Sequence, residues 1–207
     1  MRNDRPRGFT LIEMAIAMVV IGAILVAVLQ GRALIDNAEY SSFKRSLNEY
    51  AEAFYSFRER FNALPGDFDE ANARLDGSLS GGNGDGAIDD GPTCDSDDDE
   101  SCRAWQHLRY ADLLQGDPRL SGGEAPPSHP YNGVVSAYFT GDEGDDLFRH
   151  KMLVTGVPSE VARRIDRELD DGICNKGRIS LDPRNECIGT EDGDWPDAEA
   201  VDLVYVM

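Results

Sequence analysis

Residues 82–91 read Gly82-Asn83-Gly84-Asp85-Gly86-Ala87-Ile88-Asp89-Asp90-Gly91 and set side-chain oxygens on a glycine-rich turn, the donor set that a hard cation such as calcium takes. The helix-loop-helix calcium pattern is not met. With Asn83 and Asp85 at its third and fifth positions Gly86 falls correctly at the sixth, yet Gly81 stands at the first and Pro92 at the twelfth. Cys94, Cys102, Cys174 and Cys187 form a second group with chemistry to offer, either disulfides or zinc; neither local spacing is the short gap of a zinc knuckle. Catalytic constellations are missing, so no enzyme is expected. Gly77-Ser78-Leu79-Ser80-Gly81 puts Leu where a nucleophile elbow needs Ser, there is no phosphate-binding Gly-Lys-Ser/Thr, and His107, His129 and His150 belong to no nucleophile motif. One carboxylate is out of place. Glu13 sits near the start of an apolar run, where a charge costs at least about 2.5 to 3.5 kcal/mol at mid-bilayer and needs a partner.

The element that must position Glu13 is a helix. Residues 14–29 are all apolar or Gly, and residues 9–29 span about 31 Å as a helix, matching a hydrocarbon core of roughly 30 Å. Arg2, Arg5 and Arg7 precede the run with only Asp4 opposing, which by the positive-inside rule leaves the N-terminus in the cytoplasm and exports the rest. A cleavable secretory signal has a shorter apolar region and a small-x-small site; the one candidate here, Gly31-Arg32-Ala33, carries an arginine inside the motif. Beyond the run no Pro occurs until Pro65, and Tyr40, Phe43, Leu47, Tyr50, Phe54, Phe57, Phe61 and Leu64 recur at spacings of three and four. This predicts one long helix whose second half carries an apolar stripe. Bulky aromatics suit a broad core facing a sheet better than a narrow two-helix seam, so the stripe is expected to pack within its own chain. Leu64-Pro65-Gly66-Asp67 is the expected stop.

After residue 66 short elements alternate with Gly, Asp and Pro, which predicts an α+β head. A brief helix is expected to bury Trp105, Leu108, Ala111 and Leu114 and to end at Gly116. Residues 134–140 and 152–155 read as paired strands, with further strands over 178–181 and 201–206. A second helix is expected with Ser159 as its cap, Val161, Ile165 and Leu169 as its buried stripe and Asp170-Asp171-Gly172 as its exit. The cysteines lie in the exported part, where an oxidising compartment favours disulfides. Three connectivities are open, and closeness in sequence favours Cys94 with Cys102 and Cys174 with Cys187. The net charge of −19, with the acids massed after residue 65, excludes a basic nucleic-acid footprint.

The run Arg7-Gly8-Phe9-Thr10-Leu11-Ile12-Glu13-Met14 resembles the processing segment of type IV pilins and type II secretion pseudopilins. Asn62-Ala63-Leu64-Pro65-Gly66-Asp67, Trp105-Gln106-His107-Leu108 and Ile165-Asp166-Arg167-Glu168-Leu169-Asp170-Asp171-Gly172 are similar to later segments of the same proteins. The resemblance implies a leader over residues 1–8, cleavage after Gly8 by the prepilin peptidase and N-methylation of Phe9. It implies a long helix, with a transmembrane half over 9–29 and an amphipathic half over 30–64, packed on a small antiparallel sheet in a head over 65–207. The freed amine of Phe9 is a cation at the positive end of a helix dipole and calls for an anion. Glu13 lies over the same face, and the resemblance implies that it serves a neighbouring subunit. The implied partners are other pilin or pseudopilin subunits and an inner-membrane assembly platform. The implied location is the inner membrane, N-terminus cytoplasmic and head periplasmic, and then a fibre. No cofactor is required; a calcium site like that in the head of the type II major pseudopilin would use Asn83, Asp85, Asp89 and Asp90. Two rivals make different predictions: an anchored extracytoplasmic binding protein that never polymerises, and a periplasmic enzyme released with an N-terminus near Leu34.

Overall fold

A computed structural model describes residues 9–139, 150–188 and 193–207. The chain divides into two compact units, Met1–Ser41 and Ser42–Met207, a boundary that falls inside the expected amphipathic half-helix. Helix α1 runs over Leu11–Phe61. It stops ahead of the expected Leu64 because Asn62 takes a left-handed conformation, φ 54°, while its N–H still closes on the Arg58 carbonyl at 2.8 Å. Asparagine tolerates that geometry, and it ends the helix before Pro65 has to.

Within the second unit the expected stripe is buried: Phe43, Leu47, Tyr50, Phe54, Phe57 and Phe61 all lie in the core, and Leu64 is half-buried. Tyr40, just ahead of the boundary, is buried as well. After α2 (Ala71–Arg74), α3 covers Glu100–Tyr110. Trp105, Leu108, Ala111 and Leu114 are buried as expected, but the helix ends before Gly116, with Ala111 as its cap and Asp112 left-handed at φ 59°. The ring contacts of the stripe run to α3 and to loops. Tyr50 and Phe54 meet Trp105 edge-on at 5.4 and 5.5 Å, Phe43 meets His129 and Tyr131 at 5.1 and 5.4 Å, and Phe57 meets Phe68 at 5.7 Å. All but the tilted Phe43–His129 pair are edge-to-face, an arrangement that adds about 0.5 to 1.5 kcal/mol per pair beyond burial.

A short 3-10 turn (Gly122–Glu124) leads to a four-stranded sheet of β1 (Val135–Phe139), β2 (His150–Val157), β3 (Ile179–Leu181) and β4 (Val201–Val206), in the order β1-β2-β4-β3 and antiparallel throughout. The α+β class expected from the sequence, a long apolar N-terminal helix with a small antiparallel sheet, is the one observed. Thr140, expected at the end of the first strand, lies outside the described residues. Val135 pairs with Val154 and Phe139 with His150, while a bulge separates Val154 from Val157 on β2. Helix α4 (Ser159–Leu169) follows β2. Here Pro158 is the cap and Ser159 the first helical residue, its hydroxyl donating to the Pro196 carbonyl instead. The buried stripe is Ala162, Ile165 and Asp166; Val161 and Leu169 are only half-buried, because the helix turns a polar Asp inward to meet Trp195.

Both sheet edges are engaged. On β1 the Val135 N–H bonds the Pro127 carbonyl at 3.0 Å and the Phe139 N–H bonds that of Ile88 at 2.9 Å. On β3 the Ile179 N–H reaches the Asp170 carboxylate at 2.8 Å and the Leu181 N–H the Cys174 carbonyl at 2.6 Å. Edge donors that already have acceptors are poor templates for a further strand.

Candidate functional site

The first turn of α1 is closed by its own side chains. Thr10 is the N-cap, its Oγ1 accepting the Glu13 N–H at 3.3 Å, while Glu13 Oε2 accepts both the Thr10 N–H and the Thr10 hydroxyl at 2.7 Å. This reciprocal arrangement is a capping box, and Thr10-x-x-Glu13 is the sequence signal that announces it. It fixes an anion at the positive end of the helix, four residues from Phe9, which is exposed. Gly8 lies outside the described residues. From Phe9 to Gln30 every residue is exposed, and no charged residue occurs between Glu13 and Arg32. α1 is long and apolar enough to cross a membrane.

In the second unit the 82–91 loop is organised by two carboxylates that lie outside the predicted ligand set. Asp67 (3 % exposed) accepts the Asp85 and Gly86 N–H groups, each at 3.0 Å, on its two oxygens. Glu100 (4 % exposed) accepts those of Asn83 at 2.9 Å and Asp89 at 3.1 Å. Burial pushes both carboxyls above their ordinary pKa, and the donated N–H bonds pull the other way. The loop backbone thus wraps inward and leaves its own acids outside. Of the four candidate ligands the structure brings three together: the Asn83 side-chain amide donates to Asp85 at 3.0 Å and to Asp89 at 3.4 Å. Asp90 is used elsewhere, accepting the Glu100 N–H at 3.1 Å at the start of α3. Asp67 belongs to the Leu64-Pro65-Gly66-Asp67 stop, but nothing local in the sequence tells an acid that gathers loop amides from a solvated one.

The cysteines pair by proximity, Cys94 with Cys102 and Cys174 with Cys187, at Cα separations of 5.1 and 6.2 Å, so none is left for zinc. Asp166, Asp170 and Asp171 lie together, and each has a structural task. Asp166 accepts the Trp195 indole N–H at 2.8 Å and the Gly172 N–H at 3.2 Å, Asp170 the Ile179 N–H and Asp171 the Ile173 N–H, both at 2.8 Å. This accounts physically for the Ile165 to Gly172 run. His107 and His129 are likewise held by backbone. The Gly66 N–H donates to His107 Nδ1 at 3.0 Å and the Tyr131 N–H to His129 Nδ1 at 3.2 Å, while the Nε2 atoms face the carbonyls of Ser80 and Thr155 at 3.1 and 2.8 Å. That wiring requires the neutral tautomer with hydrogen on Nε2. Burial lowers the pKa of His107 to about 4.

Residues 3–29 match the family model of the prokaryotic N-terminal methylation motif, the signal of type IV pilins and pseudopilins. No curated protein and no solved structure matches the chain. The matched segment ends where the apolar run ends and contains the Thr10–Glu13 box.

Proposed function

We propose that this chain is a structural subunit of a type IV pilus or a type II secretion pseudopilus, cleaved after Gly8, N-methylated at Phe9 and polymerised through α1. The observation that carries this reading is the coincidence, over residues 3–29, of the methylation motif with an exposed apolar helix that holds one carboxylate in its first turn. The motif marks a family whose work is mechanical, not catalytic. Before assembly the helix anchors the chain in the inner membrane, N-terminus inward and head in the periplasm. In the fibre the same apolar surface packs against other copies, gaining roughly 25 cal/mol per Å² buried. Glu13 exchanges the Thr10 amide for the terminal amine of an adjacent Phe9, which sets the axial register. The prepilin peptidase, other pilin-type subunits and a membrane assembly platform are the partners of this cycle. No cofactor is needed.

Mass spectrometry of the protein from its native membrane tests the processing step, with a methylated Phe9 terminus expected. An intact leader, or a terminus near Leu34, overturns the proposal. Co-sedimentation with sheared fibres tests assembly: wild-type chain is expected in the fibre fraction and Glu13→Val in the membrane fraction alone. A correctly processed chain that never enters fibres would be an anchored, non-polymerising protein instead.

A further inference from the structure

We propose that His107 and His129 form a pair of acid-sensitive latches, each holding a loop onto the packed head only while its imidazole is neutral. The two sites are wired alike. In each, Nδ1 accepts a backbone N–H (Gly66 or Tyr131) and Nε2 faces a backbone carbonyl (Ser80 or Thr155). In each, the ring also rests on the aromatic stripe of α1: His107 stacks on Phe57 at 6.3 Å and His129 meets Phe43 at 5.1 Å. Both side chains are buried, His107 completely.

A proton added at Nδ1 points a hydrogen at a backbone N–H that has nowhere to turn, so the accepted bond becomes a repulsive contact and a charge is left in an apolar pocket. The loop must leave. At His107 this releases the turn at Gly66 from α3, and at His129 it releases the loop at Tyr131 from the start of the sheet. Both releases uncover part of the α1 stripe.

The charged neighbours do not relieve the added proton. At His107 burial opposes it most, the Ser80 carbonyl favours it in part, and Arg103 on the same helix opposes it further. Asp67 and Glu100, on the turn and helix beside this latch, are themselves held above their ordinary pKa by burial. His129 is faced by Phe43 and by the Tyr131 ring at 6.0 Å; burial lowers its pKa and the Thr155 carbonyl opposes that shift. His150 is also lowered by burial, to about 4, and faces Arg58, but its Nε2 has no hydrogen-bond partner among the described residues, so that atom holds no latch bond to lose.

The experiment is amide hydrogen exchange on the full chain in detergent micelles between pH 7 and pH 4.5, corrected for the intrinsic exchange rate. Protection at Gly66 and Tyr131 is expected to fall on the order of 10-fold or more, with β2 and β4 amides remaining the better protected throughout. His107→Gln is expected to abolish the acid response at Gly66 and leave that at Tyr131, with the reverse for His129→Gln; His150→Gln, Asp67→Asn and Glu100→Gln are expected to retain both. Imidazole 15N shifts of the wild-type chain give a reading that needs no variant, with both rings in the Nε2–H form at pH 7. Protection that does not change with pH, an acid response that survives the histidine substitutions, or an Nδ1–H tautomer overturns the proposal.

Discussion

Glu13 answers to Thr10 in the free chain and, in the proposed fibre, to a neighbour, so its substitution should be silent for the head. Glu13→Gln is expected to leave the thermal midpoint of the second unit, followed by Trp105 and Trp195 fluorescence, unchanged, because those indoles lie in the Ser42–Met207 unit. Glu100 is the opposite case. Glu100→Ala strands the Asn83 and Asp89 N–H groups in a part-buried loop, and each unsatisfied donor costs about 1 to 3 kcal/mol, so a clear fall in the midpoint is expected. If the loop is held by these amide contacts, a chelator should not move the wild-type midpoint; a rise on adding calcium would instead make Asp85 and Asp89 ligands.

The pH signs at these residues differ. His107, lowered when folded, contributes stability that is complete above its unfolded pKa of about 6.5 and is lost as pH falls toward about 4. Asp67 and Glu100, raised when folded, contribute in the reverse sense, favouring the folded state as pH falls through their folded values. A denaturation series is therefore expected to show stability falling from pH 6.5 to pH 5, with Asp67→Asn steepening that fall rather than removing it. The residues the sequence concealed are these buried acids. Their carboxylates differ from the many solvated ones only in which backbone amides the fold brings to them, and that is set by contacts distant along the chain.

At the scale of elements the stripe on α1 was the most legible feature, since a period of three to four with aromatics at nearly every turn has few other meanings. Its end was less so, because a left-handed Asn62 competes with Pro65 for the stop and nothing in the sequence ranks them. α4 and its buried Ile165 follow the sequence, but its stripe shifts from Val161 and Leu169 for a related reason: Asp166 faces inward to serve Trp195, and no periodicity argument places a carboxylate on the buried side. Truncating Phe57, which is fully buried against Phe61 and Phe68, is expected to cost about 3 to 5 kcal/mol in chemical denaturation of the Phe57→Ala chain. Reducing the two disulfides should lower the midpoint too, each bridge contributing about 2 to 4 kcal/mol. The cysteine pairing could be read from proximity alone, since each cysteine pairs with the one nearest to it in sequence, 8 residues away for Cys94–Cys102 and 13 for Cys174–Cys187.

For the whole molecule, the sequence announces the two ends of the chain's behaviour, an apolar rod and an acidic head, more clearly than it announces the site between reading and use. The segment over residues 3–29 is legible because its chemistry is local, a Gly-Phe junction and an acid at fixed spacing. In the head the elements and the cysteine pairs are legible and the loop organisation is not, because those loops are tied by main-chain contacts that any polar residue could border.

The occupied rims of the β-sheet bear on how the head would fare among crowded copies in the proposed fibre. A polymer holds many heads at very high local density, the condition under which open strands from adjacent copies zip into cross-β deposits that do not come apart. Val135, Phe139, Ile179 and Leu181 already donate their outer N–H groups within the head, so little of either rim is left to pair with a neighbouring strand. In the proposed fibre, heads crowded side by side would then be held apart from one another's main chains, and the contacts between copies would fall to the exposed apolar helix.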